Sequence, residues 1–163
     1  MKKIFAIAAA ALLAVTALAQ DGRSIYNKYS EENGVSAVYI SPAMFRLVGK
    51  LPELEIRDNV DISGIVKTLN GFYLINSENT SINDRIRKDA EKFVTSGKYE
   101  ILMEVKDDGE VMHMYTAGTE KEIESFVLIS YEHDECTFIC LDGKIPREEF
   151  EKMVAIAAEE VIG

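Results

Sequence analysis

Histidine, cysteine and tryptophan are scarce in this chain, and each shortage narrows the kinds of site it can build. The 163 residues include two His, two Cys and no Trp, which limits catalytic triads and metal sites alike. The sequence also lacks a glycine-rich phosphate loop and the motifs Gly-x-Ser-x-Gly, His-Glu-x-x-His and Cys-x-x-Cys. We therefore predict no catalytic residue, no metal site and no cofactor. Enzymatic activity is left uncertain, with a non-catalytic protein favoured.

Positive charge is also in short supply. The chain carries 18 Lys and Arg against 28 Asp and Glu, a formal net charge of −10. Such a surface repels phosphate backbones and anionic lipid headgroups. This balance disfavours nucleic acid and membrane surfaces as partners, whereas cations and basic proteins remain compatible with it.

The one long apolar run lies at the N-terminus. Lysines follow Met1, and an apolar stretch over residues 4–18 ends in the small-residue pattern Ala17-Leu18-Ala19. This is typical of a secretory signal peptide, and at about 15 residues it is shorter than the roughly 20 of a spanning helix. We predict a signal peptide over 1–19 and a single domain over 20–163. The mature protein would be periplasmic or extracellular, without a membrane span and with a net charge of about −12.

Hydrophobic periodicity predicts the order of helices and strands. A short helix precedes a strand over Val35–Ile40, and Ser41 and Pro42 are typical of a helix cap and first turn. From Tyr99 the period falls to two, and short turns predict four consecutive strands before a final helix at Pro146. The order α-β-α-α-β-α-β-β-β-β-α indicates an α+β fold. We predict a mixed sheet of about six strands, with a C-terminal four-stranded antiparallel meander and helices mainly on one face.

Several local details follow from the same patterns. Asp61 is a candidate cap for a short helix that extends to Leu69, and Ser81 resembles the start of a capping box. Gly97 stands where a left-handed glycine ends many helices. Alternation over residues 99–106 predicts a half-buried strand.

The two cysteines lie on one predicted strand. Cys136 and Cys140 would be about 13 Å apart along it, beyond the roughly 7 Å that a disulfide spans. We therefore predict two unpaired, buried thiols on the same strand face as Phe138. The same separation argues against a zinc site with His133, because two ligands of one zinc ion must lie within roughly 4 Å.

The meander brings two acidic turns to one end of the sheet. They would be about 10 Å apart, two strand spacings. This acidic rim could attract Ca²⁺ weakly, in the millimolar range, or a basic partner. The alternative is a pair of solvated hairpin tips, which the lack of an Asp-x-Asp-x-Asp-Gly loop favours. The residues of the rim, as a candidate binding site, are Asp107, Asp108, Glu110, Glu132, His133, Asp134 and Glu135.

The strands of the meander offer two further candidates. His113 lies between two methionines, and we predict a sheet-face histidine with an ordinary hydrogen-bond partner rather than a catalytic base. If helices cover only one sheet face, the other could form an apolar platform for a partner. A helix or a second protomer covering that platform is the alternative. Its candidate residues are Leu102, Met112, Met114, Phe126 and Leu128, or their neighbours.

Three stretches of the chain carry a family resemblance: residues 34–45 (GVSAVYISPAMF), 99–106 (YEILMEVK) and 135–141 (ECTFICL). They resemble an exported bacterial family called domain of unknown function 4252. The resemblance spans nearly the whole mature chain and implies a one-domain Gram-negative envelope protein. It brings no established activity, cofactor or catalytic residue. An association of such proteins with genes for extracytoplasmic-function sigma factors implies a role in envelope regulation.

Together these observations favour an exported, non-catalytic binding or accessory module. Its partner would be an unidentified envelope protein, and oligomerisation is left open. Two other classes stay open: a hydrolase-like enzyme with an unrecognised site, and a structural subunit of an envelope assembly. A deep pocket around His113 would favour the enzyme, whereas a flat apolar face would favour the binding module.

Overall fold

The computed structural model describes residues 22–49 and 63–162. The predicted signal peptide and Asp61 lie outside the described residues. The helices are α1 (Gly22–Tyr29), α2 (Pro42–Val48), α3 (Ser63–Val66), α4 (Thr80–Ser96) and α5 (Arg147–Ile162). The strands are β1 (Val35–Ile40), β2 (Leu69–Ser77), β3 (Glu100–Asp107), β4 (Glu110–Gly118), β5 (Glu122–Tyr131) and β6 (Cys136–Pro146). Their order along the chain is the predicted one.

The strands form one six-stranded sheet in the order β1-β2-β6-β5-β4-β3. This confirms the α+β class and the meander from β3 to β6. The prediction of a mixed sheet is wrong, because every strand pair is antiparallel. Helix-containing connections often join parallel neighbours. Here the connection through α2 and α3 instead returns the chain beside β1 in the opposite direction.

Helices α1 and α4 pack against one face of the sheet, which we call the covered face. Helix α4 leads from β2 to the far edge strand β3 and contacts β2, β6 and β5 on the way. Its apolar stripe repeats at helical spacing and is buried along its length. The core that results joins this stripe and α1 to alternate residues of the sheet, and it includes Ile25, Tyr29, Ile75, Ile86, Phe93, Val127, Ile129 and Phe138.

Helix α5 packs against the other face, at one end. The rings of Phe126 and Phe150 have centroids 5.8 Å apart, and Leu141 packs against the same small cluster. Phe126 and Leu141 are cross-strand partners. Because neighbouring strand residues point to opposite faces, these two lie opposite the main core. Helix α5 therefore covers one end of this second face.

Helix boundaries differ from three local predictions. Helix α3 ends at Val66, before Leu69. Leu69 instead belongs to β2, where it pairs with Gly143 of β6. The N-cap of α4 is Asn79, whose side-chain oxygen accepts the backbone N–H of Ser81 at 3.1 Å. Gly97 has φ −94°, so the helix ends without a left-handed glycine.

Strand β3 is also more exposed than its alternation suggested. All eight of its residues are exposed, because β3 is an edge strand and α4 packs on the strands further in. Its tight connection to β4 confirms the hairpin prediction. Asp108 and Gly109 have φ values of 44° and 88°, as a two-residue hairpin turn requires.

Both cysteines are free and buried, as predicted. Burial raises the pKa of Cys136 to about 12 and also raises the pKa of Cys140. The first residue of α1 lies directly over Cys140, since a Cβ added to Gly22 would be 2.5 Å from its sulfur. These thiols are therefore protonated and shielded.

We expect the folded protein to resist thiol alkylation. The thiolate is the reactive form and is depleted by the raised pKa values. Iodoacetamide at pH 8 should modify Cys136 and Cys140 at least about 100-fold more slowly in the native protein than in urea. Intact-mass spectrometry over time measures both rates. Equal rates, or a disulfide-linked peptide in a non-reducing digest, would contradict the buried placement.

Candidate functional site

The face opposite the core presents a continuous apolar line of residues. We call this face the open face, and the line the apolar row. Each member is the direct cross-strand partner of the next, so the line crosses all six strands from β1 to β3. In sheet order the apolar row is Val38, Leu74, Ile139, Leu128, Met114 and Met103.

The two faces of the same strands differ in burial. On the covered face Ile75, Phe138 and Ile129 are 0% exposed. Their chain neighbours in the apolar row stay only half-buried, and at its ends Val38 and Met103 are 44% and 40% exposed. Neither α1 nor α4 reaches this side, so the apolar row keeps contact with solvent among the described residues.

A second line of residues runs beside the apolar row, towards the acidic rim. It carries hydroxyl, amide and apolar side chains and no charge. In sheet order this neutral row is Ser36, Asn76, Thr137, Ser130, Met112 and Val105. On the other side of the apolar row, Phe126 and Leu141 lie under α5. Beside α5 the open face thus presents two adjacent rows that contain no charged residue.

The predicted platform is therefore present, with two corrections. Met112, Met114 and Leu128 lie on the open face as predicted. Phe126 shares that face but is packed against α5. Leu102 falls within the register shift between Ile101 and Met103 and has no direct partner on β4.

Three members of the apolar row come from strands outside the first three of the meander. Leu74 and Ile139 alternate with buried core residues in β2 and β6, and Val38 follows Ala37, which packs against the core, so a local signal existed. What the sequence lacked was the strand order. Without the β1-β2-β6 neighbourhood, Val38 and Leu74 could not be joined to Ile139 and the rest of the meander.

His113 has the ordinary hydrogen-bond partner that the sequence predicted. Its Nε2 lies 2.6 Å from Oε2 of Glu104, its direct partner across β3 and β4. Hydrogen bonds from Lys106 and then from His113 hold the pKa of Glu104 below its usual range. His113 Nδ1 is buried without a partner among the described residues. His113 is the cross-strand partner of the core residue Ile129, so its imidazole lies at the margin of the core.

The clefts outlined by described residues have other linings. One of them, of about 590 Å³, lies at the end of the sheet away from the rim and is lined by Thr116, Thr119 and Arg147 among others. Three others enclose about 200 to 250 Å³. His113 lines none of these clefts, so its imidazole does not face a pocket formed by them.

The acidic turns do meet at one end of the sheet, as predicted. Asp107 and Glu110 pair across the β3–β4 hairpin and line a cleft of about 250 Å³ together with Glu132. Nδ1 of His133 lies 3.5 Å from Oε1 of Glu110. Asp108 occupies the hairpin turn itself.

The other rim residues are partly engaged elsewhere. Oε1 of Glu135 accepts a hydrogen bond from Nδ2 of Asn76 at 2.7 Å. The backbone carbonyl of Asp134 accepts one from Nδ2 of Asn83 at 2.9 Å. Within the described residues, no group of three or more His, Cys, Asp or Glu side chains is arranged to hold a metal ion.

Calcium binding at the rim stays a prediction with a simple test. If the carboxylates converge on a cation, binding stabilises the fold by mass action. Millimolar calcium should then raise the melting temperature of the wild type and not that of an Asp107→Asn, Asp134→Asn double variant. Differential scanning fluorimetry at constant ionic strength measures both. Equal shifts in melting temperature would mean that the rim consists of solvated hairpin tips without a calcium site.

Comparison with known proteins places the chain in a family. The profile described as Domain of unknown function (DUF4252) matches residues 29–153, more than half of the chain. The chain belongs to the DUF4252 family. The match begins at the last residue of α1 and ends within α5, so it contains all six strands and both rows of the open face.

Other comparisons add little to this assignment. A search of curated proteins finds no match to this DUF4252 chain. Among solved structures, the solution structure of cyanobacterial PsbP (CyanoP) from Synechocystis sp. PCC 6803 is similar at 17% identity. It covers 76% of each chain with a TM-score of 0.30. Within the described residues, no helix is both long and apolar enough to cross a bilayer.

Proposed function

We propose that this DUF4252 protein is an exported, non-catalytic binding or accessory module that docks an envelope protein on its open face. The observation that carries the proposal is the apolar row, which crosses six strands and has an uncharged row beside it. A contiguous apolar surface of this kind is typical of a protein–protein contact. Flat sheet faces rarely serve as small-molecule sites, which are concave.

The placement of the nucleophile and base candidates supports a non-catalytic role. The buried thiols of Cys136 and Cys140 have raised pKa values, so little thiolate exists at neutral pH. The Nε2 atom of His113 is engaged by Glu104. A general base needs access to a bound substrate, and His113 lines none of the clefts described above.

The compartment and the process are part of the same proposal. The charged, then apolar N-terminal sequence ending at Ala19 supports export. We place the protein in the periplasm of a Gram-negative cell, and we propose that its contact serves envelope regulation. Intact-mass measurement of the exported protein checks the first step, since a retained N-terminal segment would contradict cleavage after Ala19.

An affinity pull-down from envelope extract tests the function. The bait is the exported protein, compared with a Leu128→Lys variant that places a charge at the centre of the apolar row. Leu47→Lys is the matched control, because Leu47 is an exposed apolar residue (64%) on α2 that belongs to neither row. A partner recovered by wild type and control but lost with Leu128→Lys would support the proposal. If the Leu128→Lys variant captures the same proteins as the wild type, the proposal is contradicted.

A further inference from the structure

We propose that the occupant of the open face is a second copy of this chain, so that two protomers pack open face to open face as a reversible homodimer. This inference rests on the proposed function, because it names the partner of the same surface. Charge, geometry and area each bear on it.

The negative net charge of the chain means that two copies can meet only where few charged residues lie. The chain has a formal net charge of −10, so two copies repel each other over most of their surface. The apolar and neutral rows contain no ionisable side chain, so contact there requires no ion pair, and the Glu135 carboxylate beside them already accepts a hydrogen bond from Asn76. A basic partner would gain nothing from this face. An anionic lipid surface would be repelled by the rest of the molecule.

Geometry allows the two faces to meet. Packed sheets lie about 10 Å apart with their strand directions roughly aligned. That spacing is close to the depth of a helix layer, so a partner sheet fits beside α5, which covers only the Phe126 end of the face. A two-fold axis that runs parallel to the two rows and midway between them sets the apolar row of each protomer against the neutral row of the other. The same axis carries the two acidic rims to opposite ends, where their repulsion is weakest.

The small contact area of the open face predicts a weak dimer. Six strands about 4.8 Å apart and two rows about 6.8 Å apart give roughly 400 Å² of flat sheet per protomer, and more with side-chain relief. A standard stable interface buries about 800 Å² per partner. The open face falls short of that, so we expect a dissociation constant of about tens of micromolar.

The free edge of the sheet is a less suitable route to the same dimer. Strand β3 exposes all eight residues, including Ile101 at 56%. However, its register shifts between Ile101 and Met103, and it carries Glu104 and Lys106 in the middle of its length. Bulges and charges of this kind prevent edge pairing in natural sheets.

Analytical ultracentrifugation of the purified exported protein from about 1 to 500 µM tests the inference. We expect wild type and the Leu47→Lys control to form dimers with the same affinity. Leu128→Lys should weaken the dimer at least about tenfold. A Val38→Lys, Met114→Lys double variant should do the same, and it decides the question if Leu128→Lys fails to fold, because Val38 is already exposed and a lysine at 114 can extend to solvent.

Salt provides a second readout. Screening reduces the repulsion between two negative protomers. Raising sodium chloride from about 50 mM to 500 mM should therefore tighten the dimer, whereas a contact made by ion pairs would loosen. A dimer that dissociates as salt rises would overturn the inference.

Two further results would also overturn it. One is a wild type that stays monomeric at about 500 µM in high salt. The other is a dimer that tolerates Val38→Lys, Met114→Lys but is lost with Ile101→Lys, which would assign self-association to the β3 edge. If the protein stays monomeric but captures a partner that the Leu128→Lys variant does not, this inference is wrong and the proposed function stands. A monomer without such a partner would remove both.

Discussion

Replacing Phe138 with alanine should lower the free energy of unfolding by about 3–5 kcal/mol, the range for a large aromatic side chain lost from a packed core. Phe138 is 0% exposed, and its ring meets that of Phe93 edge-on with centroids 6.0 Å apart. It lies at the centre of the covered face, between Ile75 and Ile129. The surrounding strands and α4 hold the walls of the cavity apart, so little collapse can offset the loss.

Ile139 supplies the matched control. It is the next residue on β6 but belongs to the apolar row, where it is only half-buried. Ile139→Ala should cost less than about 2 kcal/mol, because less apolar area leaves solvent at this position. Urea unfolding followed by circular dichroism, at concentrations below dimer formation, gives both values. Similar losses for Phe138→Ala and Ile139→Ala would mean that the open face is covered in solution and would contradict our assignment.

Replacing Gly118 with alanine should be almost as damaging, at roughly 3–4 kcal/mol from steric overlap and backbone strain together. Gly118 has φ +156°, and an added Cβ would overlap the backbone carbonyl oxygen of Glu122. That oxygen also accepts the backbone N–H of Thr119 at 2.8 Å, so it cannot move without opening the β4–β5 turn. The register shift next to Gly118 depends on this close approach.

A substitution at Gly109 distinguishes backbone strain from steric overlap. Gly109 also has a positive φ, +88°, but no atom lies within 4 Å of an added Cβ. Gly109→Ala therefore carries backbone strain alone, about 1 kcal/mol. Thermal or urea unfolding of the two variants should show a difference of at least about 2 kcal/mol. Equal effects would show that the close approach at Gly118 is relieved by a small shift of the turn.

Local signals account for the parts of the fold that the sequence predicted. The Ser41-Pro42 helix start, the Asp108-Gly109 hairpin turn and the alternation around Cys136 all depend on residues close together in the chain. Each element therefore appeared at nearly the right place. The N-cap of α4 was misplaced by two residues, because Asn79 and Ser81 are both good caps. Their relative positions in the folded chain decide between them.

Pairing between distant residues accounts for what the sequence did not predict. Alternation shows that Leu74 and Ile139 each face away from the core, yet nothing local shows that β2 lies beside β6. A helix-containing connection suggested parallel pairing, and the folded chain brought β1 and β2 together antiparallel. The exposure of β3 likewise follows from its place at the sheet edge.

By itself the sequence determined the class of fold, the order of its elements, the acidic character and the shortage of catalytic groups. These depend on composition and on periods of a few residues. Only the tertiary structure decided that Val38, Leu128 and Met103 lie in one line on an uncharged face. The physical reason is that a strand's neighbours and register are set by packing across the whole sheet, between residues far apart in the chain.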